Sequence, residues 1–362
     1  MASLEGPNTL GRRPQPGAAD VSAEYARQIR RRTLMICGAT VTLVCALIVD
    51  ILTGPALLSV GEVWTALITP DEADRRTAAI VNAIRLPQAL MAITVGAGLG
   101  AAGALMQSIL GNPLASPYTL GFSAAAGFGA AIIILSGLAL PIWPNMTIPL
   151  AAFVASGFAA AIVYGVSRLK GATAEVMVLA GIATLFLFQS LQSLVQYLAA
   201  PEVLQQIVFW LFGSMGKANW TNVPIAAGIV GLGGLLIITD LRRLTALRLG
   251  DDRAAAVGVD VGKLRVKIFA VVALLTAGSV AFVGTIGFVG LVAPHLARML
   301  VGEDQRFLIP LSALMGALVM AGASVLSKSL SPGGIIPIGI VTAVIGVPFL
   351  FFLLLKGRRR YW

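Results

Sequence analysis

Arg30-Arg31-Arg32 runs directly into TLMICGATVTLVCALIVDILT, residues 33–53, and this junction decides how the rest of the chain reads. The apolar run is long enough to cross a bilayer as a helix. The arginines before it favour holding that end on the cytoplasmic side. No small-residue cleavage site follows a short apolar core, so the segment reads as a retained first helix. Residues 1–32 then form a polar, proline-dotted cytoplasmic tail, expected to be disordered up to about Ala23 because it has little to bury. Cys37 and Cys45 both lie in the run. On one helix they sit about 12 Å apart along the axis, too far to pair. They fit neither a zinc pattern nor a redox CxxC and read as small lipid- or helix-facing residues.

The same pattern continues to the C-terminus. Of 362 residues, 57% are hydrophobic and 12% charged, and the mean hydropathy is +0.90. That is too little charge to make the shell of a soluble domain of this length. Apolar runs are separated by short polar or glycine/proline breaks, as expected when lipid solvates the side chains. Ten spans are expected at 33–53, 88–108, 118–137, 147–167, 174–199, 222–240, 264–283, 288–301, 307–327 and 338–356. Residues 33–362 therefore read as one all-α integral membrane domain. The eighth span is too short to cross fully and reads as a broken or tilted helix.

Charge fixes the orientation. With the N-terminus inside and ten crossings, 21 basic residues fall on inside segments and 5 outside, out of 26. Miscounting one span would destroy this asymmetry. The net charge of +10 thus reflects topology and contact with anionic membrane lipid, with no nucleic-acid partner required. Both termini are expected in the cytoplasm. Two hydrophilic segments stand out. Residues 54–87, expected outside, carry Asp71-Glu72-Ala73-Asp74-Arg75-Arg76. Residues 241–263, expected inside, centre on Leu249-Gly250-Asp251-Asp252-Arg253-Ala254-Ala255-Ala256-Val257-Gly258. Acidic residues near the start, alanines in the middle and a glycine stop predict a short helix there. It is either an interfacial helix on the headgroups or a docking surface for a cytoplasmic partner.

Several chemistries are excluded. Gly213-Ser214-Met215-Gly216-Lys217-Ala218 hints at a phosphate-binding loop, but its glycine spacing is wrong and no hydroxyl residue follows the lysine. The chain cannot hydrolyse ATP alone. No acidic residue lies mid-span, so an ion-coupled carrier lacks its titratable relay. The single histidine, His295, has no base or second metal ligand in sequence reach, and reads as a hydrogen-bonding group at a helix end. No catalytic or metal site is expected.

Span two carries Gly96, Gly98, Gly100 and Gly103, then Gln107. Gly96, Gly100 and Ala104 make a small-residue face that lets helices approach closely. Gly111 to Gly121, with Pro113 and Pro117, makes a rigid re-entry turn. In span five Gln189, Gln192 and Gln196 share one helix face beside Ser193. Amides facing lipid are costly, so they either bond between helices or line a neutral polar pathway for a large ligand. The absence of charged or imidazole groups there argues against bare metal ions as cargo.

Taken in order, five stretches resemble the permease family of bacterial ABC importers for iron–siderophores, haem and vitamin B12, the FecCD/BtuC-like family. They are Arg85-Leu86-Pro87 through Gln107, Asn112-Pro113-Leu114-Ala115 and Leu120-Gly121-Phe122-Ser123; Trp210-Leu211-Phe212-Gly213-Ser214-Met215 with Trp220; Leu249-Gly250-Asp251-Asp252 with Ala254 and Gly258-Val259; Gly284 through Arg298; and Pro337 through Ala343 with Gly346-Val347-Pro348-Phe349. The resemblance covers residue 85 to the C-terminus. Val257 stands where the family has leucine.

The resemblance implies a permease that dimerises, with itself or a second chain, around a central pathway in the bacterial cytoplasmic (inner) membrane. Leu249, Gly250, Asp251, Asp252, Ala254 and Gly258 would then fit the groove of a separate ATP-binding subunit. That partner would hold the ATP and Mg, and this chain no cofactor. Arg85 and Lys328 would face a periplasmic or lipid-anchored substrate-binding protein. Gln88, Ser324 and Ile335 depart from charged residues common in the family at those places. Gln107 and Asn112 join Gln189, Gln192 and Gln196 as candidate pathway residues. The implied cargo is a ferric siderophore, with haem or cobalamin as alternatives. An ion-coupled secondary transporter is the competing class.

Overall fold

The computed structural model describes residues 18–330 and 336–356, and the described residues are helical or connecting chain. Helix α1 is Ala18–Leu52, followed by the short α2 (Val60–Ile68) and α3 (Arg75–Ala79). A π-helical turn, Ile80–Arg85, leads into α4 (Leu86–Leu110). Then come α5 (Phe122–Ser136), α6 (Thr147–Lys170), α7 (Ala174–Leu198), the short α8 (Pro201–Leu211) and α9 (Asn222–Ile237). The short α10 (Leu241–Leu247) and α11 (Asp251–Ala256) precede α12 (Val261–Val283), α13 (Val289–Val301), α14 (Gln305–Ser329) and α15 (Ile338–Lys356).

Each of the ten expected spans meets a helix. Seven are long and apolar enough to cross a membrane, and three more are shorter apolar helices, Phe122–Ser136, Val289–Val301 and Ile338–Phe352. Two differences from the sequence reading concern boundaries. Residues 18–23, expected to be disordered, are the first turns of α1, which runs unbroken past the tail boundary at residue 32; residues 1–17 lie outside the described part. Helix α5 starts four residues later than its expected span because Pro117–Leu120 forms a separate 3-10 turn ended by Gly121 at φ +84°.

Helices α4 and α12 form the centre: 72% and 78% of their apolar windows are buried, against 17% for α1. A helix buried on every side needs no polar face, and its neighbours can come close only if side chains are small. A Cβ on Gly96 or Gly100 would overlap the carbonyl oxygen of Gly316 or Ser312 on α14, and one on Gly103 that of Gly290 on α13. The small-residue face is therefore a backbone-to-backbone packing surface.

Candidate functional site

One end of the bundle gathers the basic residues. Arg32 pairs with Asp304 (3.3 Å), Arg248 with Glu303 (2.7 Å) and Arg265 with Asp251 (2.8 Å). Burial alone would raise the Asp304 carboxyl, but hydrogen bonds from Arg306 and the charge of Arg32 outweigh it and hold it below the ordinary aspartate value. At this end α11 lies on the core between two glycines. Gly250 (φ +96°) and Gly258 (φ +85°) both adopt backbone conformations that L side chains avoid, while a Cβ on either would meet nothing. They are required for chain direction rather than close approach. Gly258 N–H donates to Ala255 O (2.9 Å) and Val259 N–H to Ala254 O (3.0 Å), the pair of bonds that closes a helix through a left-handed glycine.

The six residues expected to form one coupling surface divide into two sets. Leu249 and Asp252 are exposed, as are the two glycines, and Val257 beside them is 68% exposed. Ala254 is fully buried in the main core cluster with Leu244, Leu247 and Leu264. Asp251 remains half exposed but is bonded to the bundle. It accepts two parallel bonds from Arg265 Nη1 and Nη2, each 2.8 Å. Arg265 is itself buried and also donates to Ile109 O (2.8 Å) and Ala172 O (3.4 Å). It thus satisfies one of the orphan carbonyls at the end of α4 while fixing the start of α11. Sequence reading took Arg265 only as inside charge. The missed signal was an arginine within an apolar helix, which needs a partner.

The central cleft lies where three stretches of chain interleave. Ser214 N–H donates to Val283 O (2.7 Å), Ile338 N–H to Gly213 O (3.0 Å), Gly339 N–H to Phe212 O (3.1 Å), and the Thr285 hydroxyl to Leu211 O. These bonds satisfy irregular backbone inside an apolar bundle. A Cβ on Gly284 or Gly339 would strike the carbonyls of Trp210 or Phe212. Phe288, the one described non-glycine residue with positive φ (+66°), turns the chain into α13. The resulting cleft has a volume of 510 Å³, and Ser116, Tyr118, Thr119, Thr285, Phe288 and Val344 are among its lining.

None of the five expected pathway residues lines that cleft. Gln107 is completely buried, its Oε1 accepting from Arg298 Nη2 (2.8 Å). Asn112 is exposed, its Oδ1 accepting from Leu114 N–H in a local turn (2.9 Å). Gln192 is half-buried with Oε1 against Gly127 of α5. Gln196 is also half-buried, and Gln189 is exposed on the outer half of α7 with Ser193 and Tyr197. The structure separates one face of amides into an interhelical contact and an open polar strip.

At the opposite end Arg85 and Lys328, the residues expected to face a binding protein, are both buried and internally bonded. Arg85 Nη1 donates to Ile51 O (3.0 Å) and Leu52 O (2.9 Å), and Nη2 to Ala56 O, capping the last turn of α1. A cation over orphan carbonyls at a helix C-terminus is favoured by the dipole as well as by hydrogen bonding. Lys328 Nζ pairs with Asp50 Oδ1 at 2.8 Å, and the Ser324 hydroxyl donates to the same oxygen at 2.8 Å. Ser324, which departs from the acidic family residue, thus supports an acid from another helix. Ile335 lies outside the described residues.

Among the described residues no group of three metal-ligating side chains occurs. His295 packs edge-on against Phe349.

Residues 41–356 match one family, the FecCD transport family. An Fe(3+)-citrate import system permease protein of Bacillus subtilis is 36% identical over 338 residues, covering 92% of this chain and 98% of that one. A hemin transport system permease protein of Yersinia pestis is 34% identical, covering 76% and 83%. A solved structure described as an inward-facing, metal-chelate type ABC transporter superposes with TM-score 0.79 at 31% identity, covering 90% of this chain and 100% of that chain. By the extent of the family match and the similarity of full-length relatives, this multi-pass membrane protein belongs to the FecCD transport family.

Proposed function

We propose that this chain is the permease subunit of a binding-protein-dependent ABC importer for ferric siderophores. The observation that carries the reading is α11, a short helix on the basic end bounded by two positive-φ glycines, packed on one face and with Leu249, Asp252 and Val257 exposed. An ordered helix with such a face outside the bundle suits the groove of a cytoplasmic ATP-hydrolysing subunit. The chain itself is a transport subunit and not an enzyme; ATP and Mg would sit on the partner. The mostly apolar cleft with scattered hydroxyls suits a large neutral chelate better than a free ion. Relatives named for Fe(3+)-citrate, hydroxamate and probable siderophore transport support iron chelates. Relatives named for hemin and cobalamin support a chelated macrocycle as the second reading.

In this reading the chain lies in the bacterial inner membrane with the basic end and both termini cytoplasmic, a second permease completes the pathway, and a substrate-binding protein delivers cargo to the opposite end. The test is uptake of radio-iron-labelled ferric siderophore into proteoliposomes holding this chain with its ATPase and binding protein. Uptake should require ATP, resist collapse of the ion gradients, and fall at least about tenfold in Leu249→Arg/Asp252→Arg as the ATPase dissociates. Uptake without an ATPase, abolished by a protonophore, would place the protein among secondary transporters. Competition by haem or cobalamin, with no siderophore uptake, would transfer the cargo to the second reading.

A further inference from the structure

Besides the packing of Ala254 in the core, two polar contacts hold the loop that carries α11 to the bundle, and the second leads toward the cleft. The first is the Asp251–Arg265 pair, which ties α11 to α12, α4 and the α6–α7 loop. The second starts at Arg248, directly before Leu249. Arg248 Nη2 lies 2.7 Å from Glu303 Oε1, and Arg298 Nε lies 3.1 Å from the same oxygen. The second contact is a charge pairing and not an aligned hydrogen bond, since Arg298 Nε has no hydrogen-bond partner. Arg298 Nη2 continues inward to Gln107 Oε1 (2.8 Å), which is wholly buried in α4. Four residues from three separate parts of the chain thus form a line from the α10–α11 loop into the bundle.

Arg298 belongs to α13, and the character of that helix gives the line its meaning. Thirteen residues long, α13 carries Pro294 in its interior, which removes a backbone donor. Its other end is Phe288, at φ +66° in the cleft wall and packed against Gly346 of α15. From Arg298 to Phe288 is about 15 Å along the helix. A displacement of the α11 loop that moves Glu303 therefore pulls on a short helix whose far end shapes the cleft.

We infer that Arg248, Glu303 and Arg298, seated on Gln107, form a tether that transmits movement of the α11 loop through α13 to the cleft at Phe288. The inference rests on the proposed docking of an ATPase at α11. Glu303 and Arg298 are positioning residues: neither lines the cleft, and they act through α13. One carboxylate oxygen serves both arginines, so removing its charge opens both links together.

The experiment uses the complete transporter with ATPase and binding protein in proteoliposomes, and reads cargo imported per ATP hydrolysed alongside co-purification of the ATPase. Arg248→Gln and Glu303→Gln should each lower import per ATP about fivefold while the ATPase co-purifies at the wild-type level. The double variant should be no worse than either single, as expected for links in one chain. Arg248 lies on a loop, so Arg248→Gln decides the matter if Glu303→Gln folds poorly. Wild-type import per ATP in Arg248→Gln overturns the tether. So does loss of ATPase co-purification in that variant, which would assign Arg248 to the docking surface itself. Failure of the docking reading is separately visible, as an ATPase that stays bound to Leu249→Arg/Asp252→Arg.

Discussion

A lysine with 3% of its side chain exposed, paired to an aspartate with 1% exposed, belongs to the folding of this protein before it belongs to any partner. Taking both charges out of water is costly, and the pair persists because Asp50 Oδ1 also accepts from Ser324 and Lys328 also reaches the Asp50 carbonyl. The second oxygen, Asp50 Oδ2, is a buried acceptor without a donor, so Lys328 and Ser324 on Oδ1 carry all of the carboxylate's side-chain compensation. Asp50→Ala should therefore cost about 3–5 kcal/mol by stranding the ammonium, whereas Asp50→Leu/Lys328→Met should cost far less or stabilise. Melting of the detergent-solubilised protein separates the two, and an equally unstable double variant would refute the account. Both Arg85 and Lys328 were legible as basic residues at one end of the bundle. Their partners were not, because Lys328 finds its aspartate 278 positions away, and no local pattern separates a paired cation from a free one.

At the scale of elements, legibility follows how local the determining interaction is. The α11 helix could be read from Asp251 and Asp252 at its start and Gly258 at its stop because such signals act within a few residues. The small-residue face of α4 was equally plain, and the structure gives each glycine a neighbour: Gly96 and Gly100 meet α14, Gly103 meets α13. The cleft wall could not be read in the same way. Gly213, Gly284 and Gly339 come from three distant stretches whose backbones bond to one another, so the sequence marks the glycines without saying what they approach. Nor could the division of the span-five amides be read, since periodicity shows a shared face and not which neighbour, Gly127 or open space, each amide meets. The α4 contacts make a direct test. Gly103→Ala would drive a Cβ into the Gly290 carbonyl, forcing two backbones apart, and should cost about 1–3 kcal/mol and much of the monodisperse yield. Gly38→Ala, where nothing lies within 4 Å, should be neutral or slightly stabilising through helix propensity. Equal yields and melting temperatures for the two would show that α4 tolerates separation from α13.

For the whole molecule, hydropathy gives an expected number of crossings and charge an expected direction, and the fold shows where that charge goes. The basic residues counted as inside are not a diffuse halo. Arg32, Arg248, Arg265, Lys267, Arg298 and Arg306 all pair with acids at one end of the bundle, joining α1, α11, α12, α13, α14 and the chain on either side of α10. The charge expected to orient the chain during insertion is thus the same charge that closes the bundle. At the other end Arg85 and Lys328 are consumed internally, leaving Asp71, Glu72, Asp74, Arg75 and Arg76 exposed on the loop between α2 and the π-helical turn. The two ends therefore differ in kind, and their sidedness can be measured in one experiment. In a Cys37→Ser/Cys45→Ser background, which touches only exposed positions on α1, single cysteines at the exposed positions Glu72→Cys and Ala255→Cys report opposite ends. A membrane-impermeant maleimide should label Glu72→Cys in intact spheroplasts and Ala255→Cys only in inside-out vesicles. The reverse pattern would invert the orientation while keeping the fold. Labelling of both positions from one side would mean an odd number of crossings between residues 72 and 255 is wrong, and would remove the short helix α5 from the set that spans the membrane.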